Sequence, residues 1–252
     1  MDFSSRINGL SLFSGIGGID LALRDYVKTI AYCEIEPYCQ AVLLSRMASE
    51  DLDNAPIWDD IRSFNGFELP KIDIIFGGFP CQDISVAGLG KGLEGERSGL
   101  FFEILRLAKE IQPPFIFLEN VPAITTRGGL RVVREITEAG YDCRWCIISA
   151  NEWVDQKRER WFLLAKFNSQ RQQERPSETL QFKRKASLDE ELGYYKLSNM
   201  ECWTSYAGSV RKNYGISNRM DRLKSLGNAV VPAQAKKAFE ILMGLRYSLY
   251  YP

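Results

Sequence analysis

Histidine is absent from all 252 residues of the chain. That absence removes Ser-His and Cys-His dyads and every zinc site that needs an imidazole, so a nucleophile here must be activated by other means. Net charge is absent too, with 32 Lys and Arg against 32 Asp and Glu. No apolar run approaches the roughly 18 residues a membrane-spanning helix needs, and Met1–Leu10 carries no apolar signal-peptide core. The expectation is a cytoplasmic protein with no membrane partner. Cysteine is sparse: the six at positions 33, 39, 81, 143, 146 and 202 read as reduced thiols. Cys143 and Cys146 form a lone CxxC inside YDCRWCIIS, which alternates like a strand. Without a second pair it does not make a zinc site, and no metal is expected.

What the chain does contain is 45% hydrophobic and 25% charged residues, enough to pack the core of one sizeable domain with a small appended one. The neutral total hides an asymmetry. Residues 1–110 hold 10 basic and 17 acidic side chains, whereas residues 111–252 hold 22 and 15. Lys157–Lys185 is the densest cationic stretch, a pattern that suits a solvated face or a phosphate-binding surface.

Short apolar runs alternate with helical patterns through the first 165 residues. Strands are predicted at Leu10–Phe13, Thr29–Cys33, Ile72–Phe76, Phe115–Leu118, Cys143–Ser149 and Trp161–Lys166. Helices are predicted at Ile19–Tyr26, Pro37–Met47, Leu100–Ile111 and Leu130–Ala139, with a last one in Val231–Leu245 that packs back on the first domain. This order implies an α/β fold around a mostly parallel sheet. From about Asn168 the chain turns polar and aperiodic, as expected of a small irregular domain.

Three places carry chemistry. Phe13-x-Gly15-x-Gly17-Gly18 is a strand–turn–helix element of the kind that binds nucleotide-like ligands, and a plain tight turn would look the same. Glu34 ends the next strand, where an acid can accept from two ribose hydroxyls, and Asp59-Asp60-Ile61 could reach an adenine amino group. Phe76-Gly77-Gly78-Phe79-Pro80-Cys81 presents a cysteine at the carboxyl end of a buried strand, followed by the glycine-rich stretch Ala87–Gly99. Glu119-Asn120-Val121 puts a carboxylate at the end of another strand. In Gln156-x-Arg158-x-Arg160 the three side chains share one side of an extended chain, where a guanidinium could lower a thiol pKa.

Taken in order, FxGxGG, Pro80-Cys81-Gln82, Glu119-Asn120-Val121, QxRxR and Gly227-Asn228-Ala229-Val230-Val231-Pro232 make the chain resemble the DNA (cytosine-5)-methyltransferases, over roughly 1–165 and 225–252. The resemblance implies a Rossmann-like S-adenosylmethionine-dependent methyltransferase fold. Residues 1–166 and 225–252 would form the catalytic, cofactor-binding domain and 167–224 a small target-recognition domain. It implies a methyl transfer from S-adenosyl-L-methionine, leaving S-adenosyl-L-homocysteine, to C5 of a cytosine flipped out of duplex DNA. Cys81 would add to C6, Glu119 would protonate N3, Arg160 would hold O2 and Arg158 would order Glu119.

By the same resemblance, Phe13, Gly15, Ile16, Gly17 and Gly18 would surround the cofactor together with Glu34, Ile35, Asp60 and Ile61. Gly78, Pro80, Leu100, Asn228, Ala229 and Val230 would complete that site. Ile35 stands where the family often has an aromatic residue. DNA would be met by Gln82, Ser85, Lys91 and Arg97 after Cys81, and by Lys166, Arg171, Lys183, Arg184, Arg211 and Lys212 in the basic region. Phosphate contacts position DNA without specifying sequence. From the start of the last strand at Trp161 to Gly227 there are only the 66 positions 161–226, that strand included, less than the family usually devotes to reading bases, so a short or relaxed recognition site or a compact version of the domain is expected. The chain is expected to be a monomer, with a cognate restriction endonuclease as a candidate partner. RNA cytosine methylation on the same scaffold and a non-catalytic DNA-binding protein are the alternatives. A nucleotide-dependent oxidoreductase explains the glycines but not PCQ or QxRxR.

Overall fold

The structure, a computed structural model, describes residues 5–80, 99–154, 158–169 and 229–245. Seven strands form one sheet: β1 (Ile7–Leu12), β2 (Val27–Cys33), β3 (Ile57–Trp58), β4 (Ile74–Gly78), β5 (Phe115–Asn120), β6 (Tyr141–Ser149) and β7 (Glu159–Phe167). Their order is β3-β2-β1-β4-β5-β7-β6. The first five run parallel, while β7 lies antiparallel to both β5 and β6. The α/β expectation with a mostly parallel sheet therefore holds. Among the described residues the helices are α1 (Gly18–Leu23), α2 (Pro37–Ala48), α3 (Leu100–Ile111), α4 (Ile124–Arg127), α5 (Gly129–Glu138) and α6 (Pro232–Met243). None of them is long and apolar enough to cross a membrane.

The period-2 alternation of side chains along strands divides the core in two. Leu10, Leu12, Ile75, Ile116, Leu118 and Leu163 face α3 and α5, meeting Ile104, Leu107, Val132 and Ile136. Ile74, Phe76, Phe115, Phe117 and Phe162 face the other way and meet Ile19 and Leu23 of α1 and Ala235, Phe239 and Leu242 of α6. On α5 the face away from the sheet carries Arg131–Glu135 and Arg134–Glu138 pairs one turn apart. Such exposed pairs add a few tenths of a kcal/mol each, so the buried stripe dominates.

Element types match the predicted ones, but edges differ. β1 begins at Ile7, three residues early, because Asn8 is tied down by polar bonds that hydropathy does not register: its N–H donates to Asp73 and its side chain to the Lys71 carbonyl. α1 stops at Leu23, three residues short, since Tyr26 N–H closes a turn on the Leu23 carbonyl so that β2 can start at Val27. The two-residue β3 is too short to leave a periodic signature. Cys143 and Cys146, three apart on a strand, point to opposite faces and pack in different clusters, so the CxxC cannot share a metal.

Candidate functional site

The carboxyl ends of β1, β2, β4 and β5 open onto one cavity of about 560 Å³, within the roughly 300–1,000 Å³ usual for small-molecule sites. The turn after β1 forms its floor. Gly15 and Gly17 take positive φ there (54° and 79°), and Phe13 takes 52°, a left-handed conformation that costs a residue with a side chain about 1 kcal/mol or more. The turn is held from three sides. Glu34 accepts from Gly15 N–H at 2.6 Å and, with its other oxygen, from Glu36 N–H at 2.8 Å. The Arg46 guanidinium of α2 donates to the Ile16 carbonyl. Beneath, the Ser11 hydroxyl bridges Ser14 and the buried Asp20, whose other oxygen accepts from Thr29.

Glu34 is almost fully buried, and burial raises its carboxyl pKa against the pull of the backbone N–H groups it accepts from. Its carboxylate lines the cavity, where a ligand hydroxyl would share its oxygens with those backbone donors. Asp60 is differently engaged. It accepts the Arg62 backbone N–H at 3.0 Å and grips the Arg62 guanidinium at 2.7–3.1 Å, which holds its carboxyl below the usual range. An adenine amino group would compete with that arginine.

Of the residues expected around a cofactor, Phe13, Gly15, Ile16, Gly18, Glu34 and Ile35 line the cavity, as do Asp60, Ile61, Gly78, Pro80, Leu100, Ala229 and Val230. Gly17 does not line it; the space a side chain would need is filled by Leu52 and Leu43 behind the turn. Asn228 lies outside the described residues. The cavity wall also includes Tyr38 and Cys39 from the first turn of α2, and Cys33, whose thiol burial pushes up to about 12. Sequence patterning could not show that α2 folds its amino end over the cavity.

At the rim, β5 sits between β4 and β7, with Glu119 opposite Gly78 on one side and Phe162 on the other. Arg160 Nε contacts Glu119 Oε1 at 2.8 Å. Burial nevertheless outweighs the attraction of Arg160 and Arg158, and the Glu119 carboxyl is pushed up to about 7. Near neutral pH it is thus poised between donor and acceptor. Arg158 donates to the Ala229 carbonyl ahead of α6. Asn120, not singled out as a site residue from sequence, is 3% exposed and donates to the Phe79 carbonyl at 2.9 Å. It thereby fixes the turn that leads to position 81. Its place beside Glu119 in the ENV motif was the available signal.

Cys81, Gln82, Ser85, Lys91 and Arg97 lie outside the described residues, as do Gln156, Arg171, Lys183, Arg184, Arg211 and Lys212. Lys166 is described and is not brought to the site. It sits opposite Phe115, the first residue of β5, whereas the site is at the far end of that strand. It lies six positions along β7 from Arg160, about 20 Å along the strand. Because β7 runs antiparallel, its beginning faces the cavity and its end faces away.

The chain matches the family of C-5 cytosine-specific DNA methylases over residues 7–214. It is 35% identical over 159 residues to the type II methyltransferase M.CviJI of Paramecium bursaria Chlorella virus IL3A, covering 62% of this chain and 42% of that protein. It is 37% identical over 166 residues to the type II methyltransferase M2.BsuMI of Bacillus subtilis (strain 168), covering 62% of this chain and 41% of that one. The chain thus spans less than half the length of these two relatives. A crystal structure described as a DNA modification methyltransferase encoded within a prophage (E. coli) shares the fold, with a TM-score of 0.51 at 24% identity over 68% of this chain and 49% of that one.

Proposed function

The chain belongs to the C-5 cytosine-specific DNA methylase family, and on that premise we propose that it methylates C5 of cytosine in double-stranded DNA with S-adenosyl-L-methionine as donor. The observation that carries this reading is Glu119. A carboxyl with a pKa of about 7, fixed by Arg160 at 2.8 Å, stands at the rim of a ligand-sized cavity beside the turn leading to Cys81.

The residues lining the cavity fit the donor. Glu34 presents its carboxylate to the ribose hydroxyls, the glycine turn allows close backbone approach, and Ile35, 59% exposed, can cover a flat ring. The bound cofactor supplies an electrophilic methyl group, and S-adenosyl-L-homocysteine remains.

Cytosine C5 is a weak nucleophile, and the chain's own residues would make it a strong one. The Cys81 thiolate adds to C6 while protonated Glu119 donates to N3, so the electron pair of the C5–C6 bond becomes available at C5. Arg160 donates to O2 and Arg158 steadies Glu119. After methylation, C5 loses its proton to solvent as the C6–S bond breaks and returns the Cys81 thiolate, and N3 gives its proton back to Glu119. C6 is inaccessible in a stacked duplex, so the base is flipped out, with Gln82 and Ser85 closing from the DNA side. Residues 167–224 form the recognition domain in this reading, where Arg171, Lys183, Arg184, Arg211 and Lys212 meet phosphates, as do Lys91 and Arg97 after the nucleophile. The protein acts as a monomer, and a restriction endonuclease is a candidate partner, since the relatives above are named type II methyltransferases.

Bisulfite sequencing of DNA from a host without cytosine methylation, with and without this protein expressed, tests the reading. Protected cytosines in a consistent context are expected and would reveal the recognised sequence. Protection scattered over contexts would mean that the short recognition region reads little. Unprotected DNA with methylated RNA would move the substrate to RNA.

A further inference from the structure

We propose that Gln234 is a positioning residue, through whose side-chain amide the C-terminal helix α6 sets where Arg158 stands relative to Glu119; the proposal rests on the catalytic reading of that pair. Gln234 lies in the first turn of α6 and is 0% exposed. The other buried positions of this helix are apolar: Ala235, Ala238, Phe239 and Leu242. An amide buried among them costs free energy unless its hydrogen-bonding groups are used. Its donors are used. Nε2 donates to the Ile148 carbonyl at 2.7 Å and to the Arg158 carbonyl at 2.9 Å. Ile148 is near the end of β6 and Arg158 immediately precedes β7, so one side chain ties both arms of the β6–β7 hairpin to the helix. Among the described residues Oε1 has no hydrogen-bond partner, so the donors account for the bonds that hold the amide.

The grip is returned. Arg158 donates its guanidinium to the Ala229 carbonyl, just before the helix, while its own carbonyl receives Gln234. Ala150 N–H also donates to the Arg158 carbonyl at 2.9 Å. Losing Gln234 therefore does not strand that carbonyl; it removes the hold of the helix on it. Two residues on, Arg160 pairs with Glu119. Among the described residues, the charged groups acting on Glu119 are Arg158 and Arg160, both on the β7 side; from β4 it faces Gly78, which has no side chain. A shift of Arg158 is therefore felt directly at the carboxyl.

Gln234→Met keeps the length of the side chain and removes both donors. We expect kcat to fall about tenfold with the KM for S-adenosyl-L-methionine changed less than about twofold, as for a misplacement that spares binding. In carboxyl-labelled protein the NMR titration of Glu119 should move to higher pH by about half a pH unit or more, because a positive charge has moved off. Added to Arg158→Ala, Gln234→Met should cost nothing further. A variant with wild-type kcat and an unmoved Glu119 titration overturns the proposal, as does an additive loss in the double variant or a lowered melting temperature alone. Should Gln234→Met not fold, Gln234→Glu has the same size and can donate only while protonated. Its kcat should then fall relative to wild type as the new carboxyl ionises, and a superimposable pH profile overturns the proposal. Wild-type protein that methylates nothing would refute the catalytic reading instead, and the Glu119 titration would still report whether the clasp exists.

Discussion

Asp20 and Glu119 are both pushed up to about 7 by burial, but their surroundings differ. Asp20 is held by the hydroxyls of Ser11 and Thr29 and by its own backbone N–H, with Asp53 adding repulsion, whereas Glu119 has two guanidinium neighbours and sits at a cavity. Each binds a proton more tightly in the folded than in the unfolded chain. The contribution to stability is therefore full below the unfolded pKa and is lost as pH rises through the folded one. For Asp20 that window runs from 3.8 to about 7. Asparagine imitates the neutral acid, donating to Ser11 and accepting from Thr29. Urea unfolding of Asp20→Asn and wild type should show a difference that grows with pH in the variant's favour, by up to about 1.4 kcal/mol per pH unit, then levels off above the window. A difference that does not change with pH would mean that Asp20 ionises in the fold as readily as in water. At Glu119 the proposed mechanism turns the same chemistry to catalysis. Glu119→Gln should lower kcat by roughly 10²–10⁴-fold, and wild-type methyl transfer should decline as pH rises through about 7. Wild-type turnover in the variant would mean that the acid is another group.

At the scale of elements, a strand position next to the site can be as decisive as a catalytic side chain. Gly78 ends β4 directly opposite Glu119, and a Cβ placed there would lie 2.6 Å from Glu119 Oε2. The carboxylate can swing away, but only by leaving Arg160. Gly78→Ala should therefore lower kcat far more than it lowers the melting temperature, both measured on one preparation; a large loss of stability with turnover intact would place the clash elsewhere. The strands and helices that frame this site were readable in the sequence because each carries its own period and its own turn residues. So were the residues at their ends, since active sites of parallel sheets gather at the carboxyl edge. Pairing was not readable, because neighbours in the sheet are distant in the chain. Nothing local says that β7 inserts antiparallel between β5 and β6, which takes Lys166 to the end of the strand away from the cavity. Gln234 belongs to the same class, a polar residue whose use depends on two carbonyls far away in the chain.

For the molecule as a whole, the far end of the chain completes the core. The apolar face formed by Phe76, Phe115, Phe117 and Phe162 has α1 over part of it, and α6 covers the rest. Phe239 is the centre of that seal, fully buried, with its ring edge-on to Phe117 at 5.3 Å and tilted against Tyr26 at 5.5 Å. Around it, Tyr26 donates to Glu240 at 2.5 Å, and Lys237 pairs with Glu152 at 2.8 Å. These polar contacts lie at the edge, so most of the adhesion is apolar area removed from water. The same helix carries Gln234, and the residues before it line the cavity and receive Arg158. Seating α6 thus joins stability to the site. Phe239→Ala should destabilise the protein by about 3–5 kcal/mol, the usual cost of emptying a large aromatic site in a core. Because α6 also holds Arg158, turnover per folded molecule should fall as well, and the two losses should track each other across Phe239→Leu and Phe239→Ala in parallel melts and kinetic assays. A Phe239→Ala protein that is less stable but turns over at the wild-type rate when fully folded would show that the helix seals the core without steering the arginine.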